Sequence, residues 1–388
     1  MKLLFELTLT QPPSSSSTVK FHGGGLYGEV IFFALLKKMK DFIGIYDSKR
    51  YINLKILESG IKLYDINCNS PQEIVEKENI DVFYSPIETT KTLSQISVKR
   101  CVVTFHGPRG LEMPYDDIME NYCQRGLKGN VKTFIKHSVK NYLAKRNYRR
   151  NKTSYDNLMI KIKNTEYITD SEHSKYSIIN FYPHLAQKKI PVLYPPFMEE
   201  NEIGNLPQRI EPKTYFLLTS SARWEKNNLR VVWAFDELFS QRGDVKFNVV
   251  LTGVTDERIY SKKLKNIGRF IFFNYVERTE LNALHKNAYA FIYPSLNEGF
   301  GYPPLESMRY GVPVAASGTS SIPEICQNAA IYFDPYNVSE IKNRILQLLD
   351  NDIYTEYSAR AVERYKVVSE RQKQDLEKIV NFILEGKP

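Results

Sequence analysis

Short apolar runs alternate along the chain with longer stretches of helical period. Strand-like runs fall near 2–9, 42–46, 60–66, 80–84, 99–105, 165–169 and 189–193 in the first half, and near 214–220, 246–252, 269–275, 289–293, 312–317 and 329–333 in the second. Helical patterns fill most of the gaps. Strands that alternate with helices predict parallel sheets with helices wound on them, here repeated twice. The pattern breaks from Tyr194-Pro195-Pro196-Phe197 to Glu211-Pro212, a polar, Pro-rich stretch that reads as the seam between two domains. The expected division is a first domain over 1–196, a linker over 197–212 and a second domain over 213–365. From Ile353 onward the chain is rich in helical pattern, and no internal repeat is evident. Ser14 to Ser17 is a short low-complexity run that reads as loop.

The most informative stretch runs from Asn297 to Val314. The apolar run Ala290-Phe291-Ile292-Tyr293-Pro294 suits a buried parallel strand that Pro294 closes. Gly299 and Gly301 permit a tight turn and a close backbone approach to a ligand, with Phe300 between them. Pro303 and Pro304 suit a first helical turn, and Gly311 a helix stop. Glu298 is thus expected just past the carboxyl end of a strand, and Glu306 one turn into the next helix. In open α/β sheets that edge is where ligands bind. An ionised carboxylate only accepts hydrogen bonds, so two of them can hold two vicinal diols, one on a hexose and one on a ribose. The alternative is a capping Glu and a solvated Glu on an ordinary turn.

A second cluster follows the run Tyr215-Phe216-Leu217-Leu218. There Arg223 offers a planar fork of donors and Lys226 a point charge, just before a helix start. Such a group suits a diphosphate, or reads as a basic pair at a solvated helix start. Ser320-Ser321-Ile322-Pro323-Glu324 follows the run Val312–Ala316, with Ser321 placed as a cap and Pro323 at the first helical position.

Taken together, Tyr293-Pro294-Ser295, Glu298-Gly299-Phe300-Gly301, Pro304-Leu305-Glu306 and Gly311-Val312-Pro313-Val314 resemble the signature of the retaining GT-B glycosyltransferases of group 1 (family 4 type). The resemblance runs from Arg223 through Asp334. It implies an α/β GT-B fold, with two Rossmann-like doubly wound domains facing across a cleft. The first domain would take the acceptor and the second the nucleotide sugar, and a last helix over 366–388 would cross back to the first domain. It implies a metal-independent hexosyltransferase that uses a nucleotide diphosphate sugar as donor, no cofactor, and a saccharide or lipid-linked acceptor in cell-surface polysaccharide assembly. Arg223 and Lys226 would hold the diphosphate and stabilise its charge as the sugar leaves, although their spacing is more compact than in many relatives. Glu298 would hold the sugar and Glu306 the ribose. Gly299, Phe300, Gly301 and Ser321 would line the donor site.

The first half carries fewer marks. Val102-Val103-Thr104-Phe105 runs into His106-Gly107-Pro108, and similar family members have a His at this strand end facing the transferred sugar. His106 would donate to a sugar hydroxyl or orient the anomeric carbon through its backbone; a lone His is otherwise structural. His22-Gly23-Gly24-Gly25 precedes an apolar helix, and Gly24 and Gly25 would lie against the donor as the family's loop does. The glycines do not come directly after a strand, as G-x-G-x-x-G must, so this is no dinucleotide fingerprint. Asp170-Ser171-Glu172-His173-Ser174-Lys175 reads mainly as a capped helix start. Asp350-Asn351-Asp352 follows a helical pattern away from these motifs and reads as a solvated turn rather than a metal site.

Composition narrows the partners. At 388 residues the chain is too long for one core. No apolar stretch is long enough to span a bilayer, and an acidic residue at position 6 argues against a leader peptide. Four Cys without metal-type spacing fit a reducing cytoplasm. The net charge of +9 gathers between Arg125 and Lys163, where twelve Lys or Arg face one acidic residue, Asp156. Interleaved with Phe134, Tyr142, Leu143 and Tyr148, this segment reads as a basic amphipathic helix that docks on an anionic membrane face, or as a solvated helix with no partner. The rival readings are a sugar phosphorylase or sugar-nucleotide epimerase of the same architecture, and a nucleic-acid-binding protein. A phosphorylase lacks a clear pyridoxal-phosphate lysine here. Charge confined to one segment, without a recognisable module, argues against nucleic acid.

Overall fold

The computed structural model describes residues 1–12, 23–88, 92–123, 140–162, 164–196, 202–262 and 264–386. The serine run 14–17, His22 and the first part of the basic segment lie outside them.

Two parallel six-stranded sheets form the frame. The first holds β1 (Leu3–Glu6), β2 (Ile43–Tyr46), β3 (Lys62–Asp65), β4 (Val82–Ser85), β5 (Arg100–Phe105) and β6 (Thr165–Thr169), in the order β3-β2-β1-β4-β5-β6. The second holds β7 (Tyr215–Leu218), β8 (Asn248–Thr252), β9 (Phe270–Phe273), β10 (Ala290–Tyr293), β11 (Val314–Ser317) and β12 (Ala330–Phe333). Its order is β9-β8-β7-β10-β11-β12, the same winding. In each sheet the strand order reverses between the first and fourth strands of that sheet, the switch point at whose carboxyl ends open α/β sheets bind ligands. Twelve of the thirteen strand-like runs become strands. The thirteenth, 189–193, does not; it contributes only a single bridge between Thr169 and Val192. Lys189 and Pro191 leave too short an apolar run to extend the edge.

The central strands β1, β4, β7, β10 and β11 are buried along their whole length, as their apolar runs require when helices cover a parallel sheet, whereas the edge strands β3 and β9 are only partly buried. The chain separates into two compact units: Met1–Leu111 with Arg149–Met198 and Ser369–Pro388, and Glu112–Tyr148 with Glu199–Val368. The boundaries expected from sequence, 1–196 and 213–365, therefore miss a transfer. Glu112–Tyr148 groups with the second unit because Ile118 enters that unit's core, Asp116 pairs with Arg230 at 3.0 Å, and the hydroxyls of Tyr122 and Tyr260 meet at 2.8 Å. The expected linker is also partly structured: the Gly204 N–H donates to the Thr279 carbonyl within the second unit.

The C-terminal helix is one element, Asn351–Glu385. Ile379, Val380, Phe382 and Ile383 fill the core of the first unit beside Leu3, Phe5 and Ile31. Arg100 ties the helix end down by donating to the carbonyls of Phe382 and Ile383 at 2.6 and 2.7 Å. The part of this helix from Ser369 onward thus groups with the first unit, as the resemblance implies. Asp350 accepts from the N–H groups of Asp352 and Ile353, so it caps this helix.

Candidate active site

The second unit gathers most of the predicted residues at its switch point, past the ends of β7, β10 and β11. After β7 the chain turns through Ser220 (φ 59°) and Asn227 (φ 58°) before the helix Asn228–Gln241. Asn227 donates its side-chain amide to the carbonyls of Pro294 and Pro335, and Leu296 N–H donates to Glu225 O at 2.9 Å. These bonds lock the β7 loop against the β10 loop.

Within that joint Lys226 and Glu298 form a buried ion pair, with side chains 5% and 10% exposed. Ser295 Oγ also donates to the same carboxylate oxygen, and Lys226 Nζ lies 3.2 Å from the Tyr293 hydroxyl. The backbone of Glu298 is held as well: its N–H donates to Ser320 Oγ at 3.0 Å. Ser321 Oγ sits within hydrogen-bond distance of the carbonyls of Glu298 (3.0 Å) and Phe300 (2.8 Å). The sequence places Ser321 as a cap for its own helix. It makes no such bond and instead braces the Glu298–Phe300 loop. Gly301 takes φ 109°, where a side chain would be strained, whereas Gly299 keeps an ordinary φ. Phe300 is buried, edge-on to Tyr302.

Arg223 lies three residues before Lys226, its side chain half exposed and its Nε 3.6 Å from a Glu225 oxygen. The expected cationic pair is therefore unequal: one charge is buried against Glu298, the other faces outward. Glu306 sits in the helix Tyr302–Met308, with prolines at its first positions as expected. Its oxygens meet Arg278 Nη2 at 2.6 Å and His285 Nε2 at 3.3 Å. Burial alone would raise this carboxyl, but Arg278 and His285 outweigh it and hold the pKa down at about 2.

His106, Gly24 and Gly25 lie in the first unit. The glycines do not form a loop before the helix; they are part of its first turn, Gly23–Lys38. Tyr27 of that helix meets the His106 ring edge-on at 5.1 Å. The His106 ring faces two acceptors, Asp170 Oδ2 at 3.0 Å and the Pro86 carbonyl at 2.9 Å. Its backbone N–H donates to Glu88 at 3.2 Å. Two acceptors require protons on both ring nitrogens, which is the imidazolium. Burial would lower this pKa, yet Asp170 and Glu88 raise it to about 9.

Sequence reasoning gave no role to Tyr293, Ser295, Asn227, Arg278, His285 or Glu88. For Arg278 and His285 a signal existed: a spacing of seven puts both on one face of a helix. Asn227 carries no such mark, because its role depends on carbonyls far away in sequence.

Two doubly wound parallel units, with an acidic–basic joint at the second switch point, define the GT-B class of α/β folds. Residues 202–368 match the family model described as Glycosyl transferases group 1. O-antigen chain mannosyltransferase B of Escherichia coli is 40% identical over 99 residues, 25% of this chain and 26% of that protein. O-antigen chain mannosyltransferase RfbU of Salmonella typhimurium is 29% identical over 185 residues, 46% of this chain and 49% of that protein. These matches span about half or less of each relative. Among solved structures, sucrose-phosphate synthase from Thermosynechococcus elongatus aligns over 100% of both chains with a TM-score of 0.67 at 13% identity. WaaG, a glycosyltransferase involved in lipopolysaccharide biosynthesis, aligns over 99% of this chain and 100% of its own, with a TM-score of 0.65 at 12% identity. At such identities the likeness concerns the fold.

Proposed function

We propose that the protein is a retaining glycosyltransferase that moves a hexose from a nucleotide diphosphate sugar to a saccharide or lipid-linked acceptor in surface polysaccharide assembly. The mannosyltransferases among its relatives favour mannose as the hexose. One observation carries the reading: the buried Lys226–Glu298 pair, braced from three strand ends at the switch point where an α/β sheet takes its ligand. Pinned to a sugar-holding carboxylate, Lys226 delivers positive charge at a fixed place. Arg223, facing outward, adds a donor fork for the diphosphate. Charge that builds on the departing diphosphate is met by preorganised cations, and the departing phosphate oxygen takes the acceptor's proton. The residues then act by positioning and electrostatics, with neither a metal nor a further cofactor. Of the two roles expected of His106, orientation through the backbone fits better, since both ring nitrogens already bond Asp170 and Pro86. Incubation with UDP-, GDP- and ADP-sugars and a saccharide acceptor, followed by NMR of the product, tests this. Transfer from one of them with the donor's anomeric configuration kept is expected; inversion, or no binding of any nucleotide sugar, overturns it.

The setting is proposed to be the cytoplasmic face of the membrane. The helix Lys140–Asp156 exposes Lys145, Arg146, Arg149 and Arg150 together with Tyr142, which is 65% exposed. A basic face with an exposed aromatic ring suits an anionic bilayer. Co-sedimentation with liposomes containing phosphatidylglycerol, weaker on pure phosphatidylcholine, is the expected result; equal behaviour on both removes the membrane.

A further inference from the structure

The helix Arg278–Asn287 presents two basic side chains to the carboxylate of Glu306, one to each oxygen. His285 is buried, only 1% exposed. Its Nδ1 lies 2.7 Å from Ser307 Oγ, next in sequence to Glu306. A hydroxyl that donates to Nδ1 leaves the ring proton on Nε2, facing Glu306 Oε2 at 3.3 Å though off the hydrogen-bond line. On the other oxygen, the Arg278 guanidinium makes a contact of 2.6 Å from a side chain 31% exposed. A carboxylate that must accept from both hydroxyls of a vicinal diol needs its plane fixed, because each alternative rotamer loses one acceptor.

We propose that Arg278 and His285 are positioning residues for the donor's ribose: from the preceding helix they fix the plane of the Glu306 carboxylate so that it meets the 2′- and 3′-hydroxyls together. The inference rests on the reading of Glu306 as the ribose-holding residue. It predicts that discrimination between a ribonucleotide and its deoxy counterpart is set by two residues that need not touch the nucleotide. Glu306 stays ionised, as its low pKa requires, and so remains an acceptor throughout the working pH range.

The test is calorimetric titration of the purified full chain with GDP, UDP and ADP, each beside its 2′-deoxy form. For the nucleotide that binds, the wild-type chain is expected to prefer the ribo form by on the order of 10- to 100-fold, the worth of a hydrogen bond to a charged group. Glu306→Gln should bring that ratio near one. Arg278→Gln and His285→Gln should each lower it by about tenfold, with affinity for the deoxy form unchanged, and Arg278→Lys should restore part of it. Loss of a merely structural ion pair would weaken both forms alike. If Glu306→Gln removes the preference while Arg278→Gln leaves it intact, the positioning role is overturned and the reading of Glu306 stands. If Glu306→Gln leaves the preference intact, the ribose reading falls and the inference with it. Thermal unfolding of each variant guards the buried His285 site, and the partly exposed Arg278 keeps the test decisive should His285→Gln not fold.

Discussion

Glu298→Gln and Lys226→Met should each destabilise the protein by about 3–5 kcal/mol, and the double variant should regain most of that stability while remaining inactive. The two groups meet where both side chains are at least nine-tenths buried. Removing one leaves the other charge desolvated without its main counterion, which is the expensive outcome for a buried pair. Removing both takes away the charge and the demand together. The Tyr293 hydroxyl and Ser295 Oγ, which touch the pair, then have to find new partners, so the recovery should fall short of complete. Turnover should behave differently. If Glu298 holds the sugar and Lys226 the departing charge, each single variant should lose on the order of 100- to 1,000-fold in kcat, and the double variant should gain nothing back. Urea unfolding and initial rates on all four proteins complete the cycle. Recovery of activity alongside stability would show that the pair only holds the loop together.

Much of this frame is legible from the chain because the physics is local. A short strand-like run flanked by turn residues reads as a strand whatever surrounds it, and twelve of the expected runs became β1 to β12. The turn from Glu298 to Glu306 is equally local: Gly301 needs its left-handed φ, and Pro303 and Pro304 start the helix. What escaped depends on partners distant in sequence. Nothing in Ser321 announces that its hydroxyl will serve the carbonyls of Glu298 and Phe300 rather than its own helix. Nor does the segment after Glu112 signal that it leaves the first unit; Asp116 and Ile118 acquire meaning only from Arg230 and the core they enter. Lys226 was legible as a cation, but its burial against Glu298 was not, since the two residues stand 72 apart.

The His106 site should make the first unit most stable in mild acid and progressively less stable as the solution turns alkaline. His106 is held as an imidazolium between Asp170 and the Pro86 carbonyl, with Glu88 accepting from its backbone. Burial works against the charge, but the two carboxylates prevail and lift the pKa from an ordinary 6.5 to about 9. A folded-state value above the unfolded one means the stabilisation is whole below about pH 6.5 and disappears as the pH climbs through 9. Each tenfold gain in proton affinity on folding is worth ~1.4 kcal/mol, so the effect is on the order of 3 kcal/mol. Asp170→Asn removes the principal counter-charge while keeping an acceptor of the same shape. Its stability deficit should therefore be largest near pH 6 and shrink towards pH 9.5, when the wild-type imidazole has itself become neutral. Urea denaturation of both proteins across that range, read as the difference between them, cancels groups that titrate alike in each. A deficit that stays constant from pH 6 to 9.5 would mean that Asp170 serves Ser174, whose hydroxyl donates to it at 2.7 Å, and that His106 is neutral in the folded protein.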